Sequence, residues 1–196
     1  MKLNVHPETP QTRWIKQALE VFQNDGVVAY PTDSGYAIGC SADSPKALKR
    51  VYQIKKPLKK YFMALLFSDF TNASKYAVIN NFAFGQIKPR IPGPYTFILP
   101  SHYRIARLLG VKRPEVGCRW PTHPFLREIL TQLEHPIIST AAKLEDGQEL
   151  TCGDMIAEVF GHQVDLIIDC GEISINPTNI INMTKGDIEV VRGEWK

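Results

Sequence analysis

The sequence predicts an α/β (α+β) fold built on one twisted, mixed β-sheet with flanking helices. In the first half, segments with helical hydrophobic spacing alternate with short apolar runs bounded by proline or glycine. In the second half, strand-like runs follow one another closely. The 196 residues are 44% hydrophobic and 22% charged. A chain of this size buries enough apolar surface to fold without a disulfide or a metal, so we expect a single domain over residues 1–196.

The first predicted helix precedes the first buried strand. We expect Thr9 to cap this helix, Pro10 to occupy its first position and Gly26 to end it. Its buried face repeats at helical spacing, at Ile15, Ala18, Leu19 and Phe22. The apolar run at residues 27–30 then predicts a buried strand, which Pro31 should end.

Prolines also mark the later elements. Ser44 and Pro45 open a second helix that Pro57 should end, Pro124 opens a third, and residues 154–160 predict a fourth. The further predicted strands cover residues 62–67, 95–99, 115–120, 136–140, 166–169, 179–183 and 188–192.

Composition argues against several classes of protein. The four cysteines, at positions 40, 118, 152 and 170, lack zinc-ligand spacing, so we expect thiols in a reducing cytoplasm and no metal site. No apolar run approaches the ~20 residues of a membrane helix, and the first residues lack a signal-peptide pattern. We therefore expect a cytoplasmic protein with no membrane partner. The glycine-rich fingerprints of common nucleotide-binding loops are also missing.

Charge is distributed unevenly along the chain. Residues 1–140 carry 19 basic and 9 acidic side chains, whereas residues 141–196 carry 4 and 11. The densest basic segment, residues 44–60, contains seven lysines and arginines and no acid. Such a segment is either a solvated face or a surface for an anionic partner such as phosphate or nucleic acid.

Polar residues follow several predicted strands, at the ends where α/β sheets bind their ligands. The run at residues 32–35 is rich in hydroxyls and backbone N–H groups, and it is either a bare turn or a site for an anion or a carboxylate. Ser139 and Thr140 lie at the end of a second apolar strand, and Arg192 ends the last one. Arg119 lies within a strand that otherwise looks buried, and a buried arginine needs a protein carboxylate or an anionic ligand.

Together these segments resemble the YrdC/YciO family. Residues 30–40 resemble its opening motif, residues 92–99 its Pro-Gly-x-x-Thr segment, and residues 117–124 its Arg-x-Pro-x-x-Pro segment. Ser139 and Thr140 match the start of its Ser-Thr-Ser-Ala-Asn motif, and residues 164–169 with Pro177 and Thr178 resemble its closing strands. The matches keep the family's order over about residues 10–193, and the Asp-Ser-Gly-Tyr variant after Thr32 is closest to the YciO branch.

The resemblance implies a YrdC-like sheet around a positively charged concave cavity. The best-understood members are threonylcarbamoyl-AMP synthases of tRNA modification, which combine L-threonine, bicarbonate and ATP with Mg²⁺ and release pyrophosphate. Some members have been regarded as double-stranded RNA binders. The resemblance implies Lys55 and Arg119 as catalytic residues. It assigns substrate or nucleotide binding to Thr32, Ser34, Tyr36, Ser139, Thr140, Thr178 and Arg192. We expect Lys143, which stands where the synthases have an asparagine, to bind the same ligands, and from the basic segment we expect Lys56, Lys59 and Lys60 to bind RNA or phosphate.

Three positions depart from the synthase pattern. The synthases carry a Lys-x-Arg pair where this chain has Lys55 and Pro57, and a Ser-x-Asn pair where it has Ala141 and Lys143. These exchanges remove a planar guanidinium, a hydroxyl and an amide, and they add a cation. Three alternatives therefore stay open: a threonylcarbamoyl-AMP synthase, a non-synthase protein that binds nucleotide or structured RNA, and different chemistry on a threonylcarbamoyl-type substrate.

Overall fold

A mixed sheet of ten strands runs through the part of the chain that the structure, a computed structural model, describes: residues 1–55, 63–102 and 114–196. The strands are β1 (Lys2–Asn4), β2 (Val27–Thr32), β3 (Gly35–Ser41), β4 (Ala64–Leu66), β5 (Tyr95–Pro100), β6 (Glu115–Arg119), β7 (Ile137–Ala141), β8 (Leu166–Asp169), β9 (Asn179–Asn182) and β10 (Glu189–Arg192). Their order across the sheet is β1-β8-β2-β3-β7-β4-β6-β5-β9-β10. Parallel pairs such as β4 with β6 combine with antiparallel pairs such as β3 with β7, which confirms the predicted mixed sheet.

Six α-helices lie within the same described ranges. They are α1 (Thr12–Gln23), α2 (Pro45–Lys55), α3 (Phe70–Ala73), α4 (Asn81–Ile87), α5 (Pro124–Leu133) and α6 (Gly153–Phe160). As predicted, α2 and α5 begin at prolines, whose fixed φ suits the first helical turn. The short helices α3 and α4 were not predicted. Each follows a side chain, Asp69 or Asn80, that accepts a hydrogen bond from a backbone N–H of the first turn.

The predicted start of α1 is wrong, and its predicted end is close. The helix begins at Thr12, because the Thr9 hydroxyl lies 3.0 Å from His6 Nδ1 and forms a local turn instead of a cap. At the other end the helix stops at Gln23, and the Gly26 N–H donates back to the Val21 carbonyl. A Cβ on Gly26 would lie 2.4 Å from that carbonyl oxygen, so only glycine allows this close return of the chain.

Pro31 does not end the second strand as predicted. β2 continues to Thr32, and Pro31 pairs with Tyr36 of β3, a strand that was not predicted. The proline is tolerated because β8, the neighbour on the other side, pairs only with Val28 and Ala29. Pro31 therefore lies at a local edge, where its missing N–H costs no hydrogen bond to β8. β1 was also missed; it is three residues long and pairs in parallel with β8.

The other strand predictions are confirmed to within two residues where the chain is described. β4 begins at Ala64 instead of residue 62, and residue 62 lies outside the described residues, as does the predicted helix end at Pro57. No helix among the described residues is long and apolar enough to cross a membrane.

The sheet is covered by helices on both faces. Alternate residues of β2 belong to opposite layers: Val28 and Tyr30 pack with α1 and α5, whereas Val27 and Ala29 pack with α2 and α6. The predicted inward face of α1 is confirmed, since Ile15, Ala18, Leu19 and Phe22 are all buried. These layers fix the strands, so the residues at the strand ends are held on a rigid support.

Candidate active site

A cavity of about 770 Å³ opens over the middle of the sheet, between the β2–β3 turn, β7 and the end of β6. The structure brings all ten described residues of the predicted site into its lining. The polar uncharged ones are Thr32, Ser34, Tyr36, Ser139, Thr140 and Thr178, and the cationic ones are Lys55, Arg119, Lys143 and Arg192. The predicted RNA or phosphate residues Lys56, Lys59 and Lys60 lie outside the described residues. The volume is in the range of pockets that hold small-molecule ligands and cofactors.

Arg119 is the last residue of β6 and is buried, with 8% of its surface exposed. It donates to Asp33 Oδ1 at 2.8 Å and to Ser34 Oγ at 2.9 Å. The protein carboxylate that the sequence analysis held open as a partner is therefore Asp33. Arg119 Nε and Asp33 Oδ2 are buried without a hydrogen-bond partner among the described residues. Buried polar atoms are normally satisfied, so the Arg119–Asp33 pair retains unused donor and acceptor capacity.

The β2–β3 turn presents hydroxyls to the cavity. Thr32 Oγ1 donates to the Gly35 carbonyl at 2.7 Å and lies 3.0 Å from Ser34 Oγ. Gly35 has a φ of +132°, a conformation that L side chains rarely adopt, and this permits the tight reversal. The turn is thus a fixed polar surface, and its Ser34 hydroxyl is shared with Arg119.

Two tyrosines behave differently around the site. Tyr30 is fully buried, and its hydroxyl donates to Ser139 Oγ at 2.8 Å, which leaves the Ser139 proton free to donate elsewhere. Burial raises the pKa of Tyr30, so it stays a neutral donor. The Tyr36 hydroxyl donates to the Gly171 carbonyl and accepts from the Cys170 N–H, so Tyr36 offers the cavity its ring and not its hydroxyl.

Lys55 ends α2 with only 1% of its surface exposed, and its ammonium donates to the Ala141 carbonyl. Burial, reinforced by the nearby Lys143 cation and opposed by Glu149, lowers the pKa of Lys55 to about 8. Lys55 therefore does not belong to a solvated basic face. On the same helix Lys46 and Lys49 are exposed, while Arg50 forms a double hydrogen bond with Asp165.

Replacing Lys55 by methionine is expected to change how stability depends on pH. Below pH 8 the folded wild type holds a buried ammonium. Between pH 8 and 10.5 the folded lysine has lost its proton while the unfolded one still binds it, so stability rises with pH. The unfolding free energy of the wild type relative to K55M should therefore increase by up to about 3 kcal/mol across this window. Urea unfolding of both proteins at several pH values checks this, and a constant difference would contradict it.

Glu149 is a cavity residue that the sequence analysis missed. Its Oε1 lies 2.6 Å from Lys143 Nζ, and its side chain is 17% exposed. The two residues close a short hairpin after β7, in which Leu144 N–H donates to the Gln148 carbonyl. Glu145 and Asp146 line the cavity from the tip of the same hairpin and are exposed. Sequence alone could not select one acid among these, because only the hairpin turns Glu149 back toward Lys143.

The far side of the cavity is built from β5, β9 and β10. Arg192 donates twice to the Thr178 carbonyl, at 2.8 and 2.9 Å, and the Thr178 hydroxyl lies 2.9 Å from that of Thr96. Thr178 and Arg192 therefore support each other at the cavity wall. The described residues contain no group of three His, Cys, Asp or Glu side chains able to hold a metal ion.

Comparison with known proteins gives consistent relationships over nearly the whole chain. The family model Sua5_yciO_yrdC, described as telomere recombination, matches residues 20–193. The protein YciO of Escherichia coli is 38% identical over 191 residues, which are 96% of this chain and 92% of that protein. The threonylcarbamoyl-AMP synthase of Psychromonas ingrahamii is 28% identical over 178 residues, which are 88% of this chain and 93% of the synthase.

Solved structures share the fold. The crystal structure of E. coli YciO superimposes with a TM-score of 0.88 at 35% identity, covering 98% of this chain and 94% of that one. P. abyssi Sua5 in complex with L-threonine gives a TM-score of 0.88 at 25% identity. The superposition covers 98% of this chain but only 57% of the Sua5 chain.

Proposed function

Because the chain belongs to the Sua5/YciO/YrdC family, we propose that its cavity binds L-threonine and ATP and forms threonylcarbamoyl-AMP for tRNA modification. The observation that carries this proposal is the lining of the cavity. Four cationic side chains and a set of fixed hydroxyls line one space of about 770 Å³. Phosphates need the cations, and an amino acid with a hydroxyl needs the polar turn.

The proposed reaction has two steps. The amine of L-threonine and bicarbonate condense to a carbamate with loss of water. A carbamate oxygen then attacks the α-phosphorus of ATP, and the bond to the leaving pyrophosphate breaks. Negative charge grows on the phosphoryl oxygens, where Lys55 and Arg119 would stabilise it, while Thr32, Ser34 and Ser139 would orient the amino acid. Mg²⁺ would enter with the triphosphate, whose oxygens are its usual ligands together with water.

Two related proteins also support this proposal. A P. abyssi Sua5 structure contains L-threonine, and the P. ingrahamii relative is a threonylcarbamoyl-AMP synthase. The departures at Ala141 and Lys143 lie within the cavity lining as well. In place of the amide of the synthases, this chain carries the Lys143–Glu149 ion pair, and Ala141 leaves the position of the hydroxyl without a polar side chain. The proposal therefore requires the reaction to proceed without that hydroxyl and with the ion pair in place of the amide.

Pyrophosphate release tests the proposed reaction. Purified protein with ATP and Mg²⁺ should release pyrophosphate only when both L-threonine and bicarbonate are present, and the R119A variant should release it far more slowly. The matched control is Arg127→Ala, which removes an exposed arginine of α5 outside the cavity and should leave the rate unchanged. Pyrophosphate release that does not depend on threonine would contradict the proposal, and the non-synthase alternatives would then take its place.

We also propose an RNA partner, which is consistent with a role in tRNA modification. The cytoplasmic location stays a prediction. Lys46 and Lys49 are exposed on α2, and the basic residues 56, 59 and 60 follow this helix in the sequence. Binding of an unmodified tRNA transcript should weaken steeply between 50 and 200 mM salt, roughly in proportion to the phosphates contacted. The double variant K46E/K49E should weaken it further, whereas K16E on the exposed part of α1 should not. Affinity that does not respond to salt would contradict an electrostatic RNA interface.

A further inference from the structure

We propose that Glu149 holds the α-ammonium group of the amino acid that enters the cavity. This inference rests on the proposed function and assigns a protein partner to the ammonium of its amino-acid substrate. Nothing in the segments that resemble the YrdC/YciO family includes Glu149, which lies in the hairpin after β7.

The position of the carboxylate is the first argument. Glu149 Oε1 is bound by Lys143 at 2.6 Å, whereas Oε2 accepts no hydrogen bond from any described residue. Oε2 faces the β2–β3 turn, since a Cβ built on Gly35 would meet it at 3.2 Å. One oxygen of Glu149 is therefore used within the protein, and the other lies beside the turn that carries the hydroxyls of Thr32 and Ser34.

The charge of the cavity is the second argument. A mostly buried carboxylate in a cavity meant only for anions would repel its ligand, and its desolvation would cost free energy. Lys143 compensates the charge of Glu149 through Oε1, but an ion pair alone needs no second, free oxygen beside the turn that carries the Thr32 and Ser34 hydroxyls. A zwitterion explains both features, because its ammonium meets Glu149 Oε2 while its carboxylate meets a cation of the cavity lining, such as Arg119.

The remaining acids of the cavity do not fit this role. Glu145 and Asp146 lie exposed at the tip of the hairpin, where water competes for an ammonium group. Glu149 is 17% exposed and is fixed by Lys143, so it can make a charge-assisted hydrogen bond with little loss of side-chain freedom. Glu145 therefore provides a matched control on the same hairpin.

Calorimetric titration without nucleotide tests the inference. The probes are L-threonine and 2,3-dihydroxybutyrate, which has an α-hydroxyl in place of the α-ammonium. Wild type should bind threonine about 10- to 100-fold more tightly than the analogue, the factor expected of one charge-assisted hydrogen bond. E149Q should lose most of this preference, because its affinity for threonine falls while its affinity for the analogue does not. E145Q should keep the preference.

The outcomes separate this inference from the proposed function. If wild type binds threonine and E149Q keeps the full preference, or if E149Q weakens both probes equally, the inference is wrong while the proposed function stands. If E149Q loses the preference but wild type releases no threonine-dependent pyrophosphate, the inference stands and the proposed reaction is wrong. If wild type binds no threonine, both are overturned.

Discussion

Replacing Arg119 by alanine is expected to reduce pyrophosphate release by about 10²–10³-fold and to lower the free energy of unfolding by about 3–5 kcal/mol. Two causes combine. The ligand loses the Arg119 guanidinium as a hydrogen-bond donor, and the Nε of this guanidinium has no partner within the described part of the chain. Asp33 loses the cation that compensates its largely buried carboxylate. Steady-state kinetics and urea unfolding measure the two losses separately.

Two further variants distinguish these causes. In the double variant R119A/D33N the unpaired carboxylate is gone, so stability should recover in large part while activity stays low. R119K keeps the charge but loses the fork that reaches both Asp33 and Ser34, so it should be more stable than R119A yet still poorly active. An active R119A enzyme would contradict the assignment of Arg119 to the site.

Gly39 is the position where a single methyl group should do most damage to the fold. It lies in β3, opposite Ser139 of β7, and a Cβ there would meet the Tyr30 hydroxyl at 2.4 Å and the Ile138 carbonyl at 2.5 Å. The carbonyl belongs to a central strand and cannot move away without breaking sheet hydrogen bonds. G39A is therefore expected to lose about 3 kcal/mol of stability, at the upper end for overpacked cores, and to disturb the Tyr30–Ser139 hydrogen bond.

Gly117 in β6 is the matched control for this prediction. It is also a strand glycine, but a Cβ there would have its nearest neighbours at 3.4 to 3.6 Å, which is ordinary contact. G117A should therefore be close to neutral or slightly stabilising, since alanine restricts the unfolded chain more than glycine does. Chemical denaturation of both variants compares them directly. Equal losses at the two positions would show that the close approach at Gly39 has no energetic role.

Local sequence patterns predicted most of the fold because they show which residues are buried and where helices begin. The hydrophobic spacing of α1 and the prolines that begin α2 and α5 depend on neighbouring residues alone, and the structure confirms them. Pro31 and β3 were misjudged for a different reason. Whether a proline can stay within a strand depends on how far the neighbouring strand β8 extends, and this is a property of the assembled sheet.

In the site, too, some features could be predicted from neighbouring residues, whereas others depend on contacts between residues far apart in the sequence. Arg119 was recognised because a cation in an apolar strand is unusual, and its need for a partner was predicted without naming Asp33. The burial of Lys55 and its contact with the Ala141 carbonyl depend on residues 86 positions apart. Glu149 was missed entirely, because its position follows from a hairpin that pairs it with Lys143 and from the approach of the β2–β3 turn.

If one cavity holds the amino acid and the nucleotide together, each ligand should strengthen the binding of the other. Calorimetric titration of the protein with ATP and Mg²⁺, with and without L-threonine and bicarbonate, measures this coupling. We expect the nucleotide to bind more tightly when threonine and bicarbonate are present, because the ligands meet within a space of about 770 Å³ lined by shared residues. Nucleotide binding of equal strength in their presence and absence, or no binding, would contradict it.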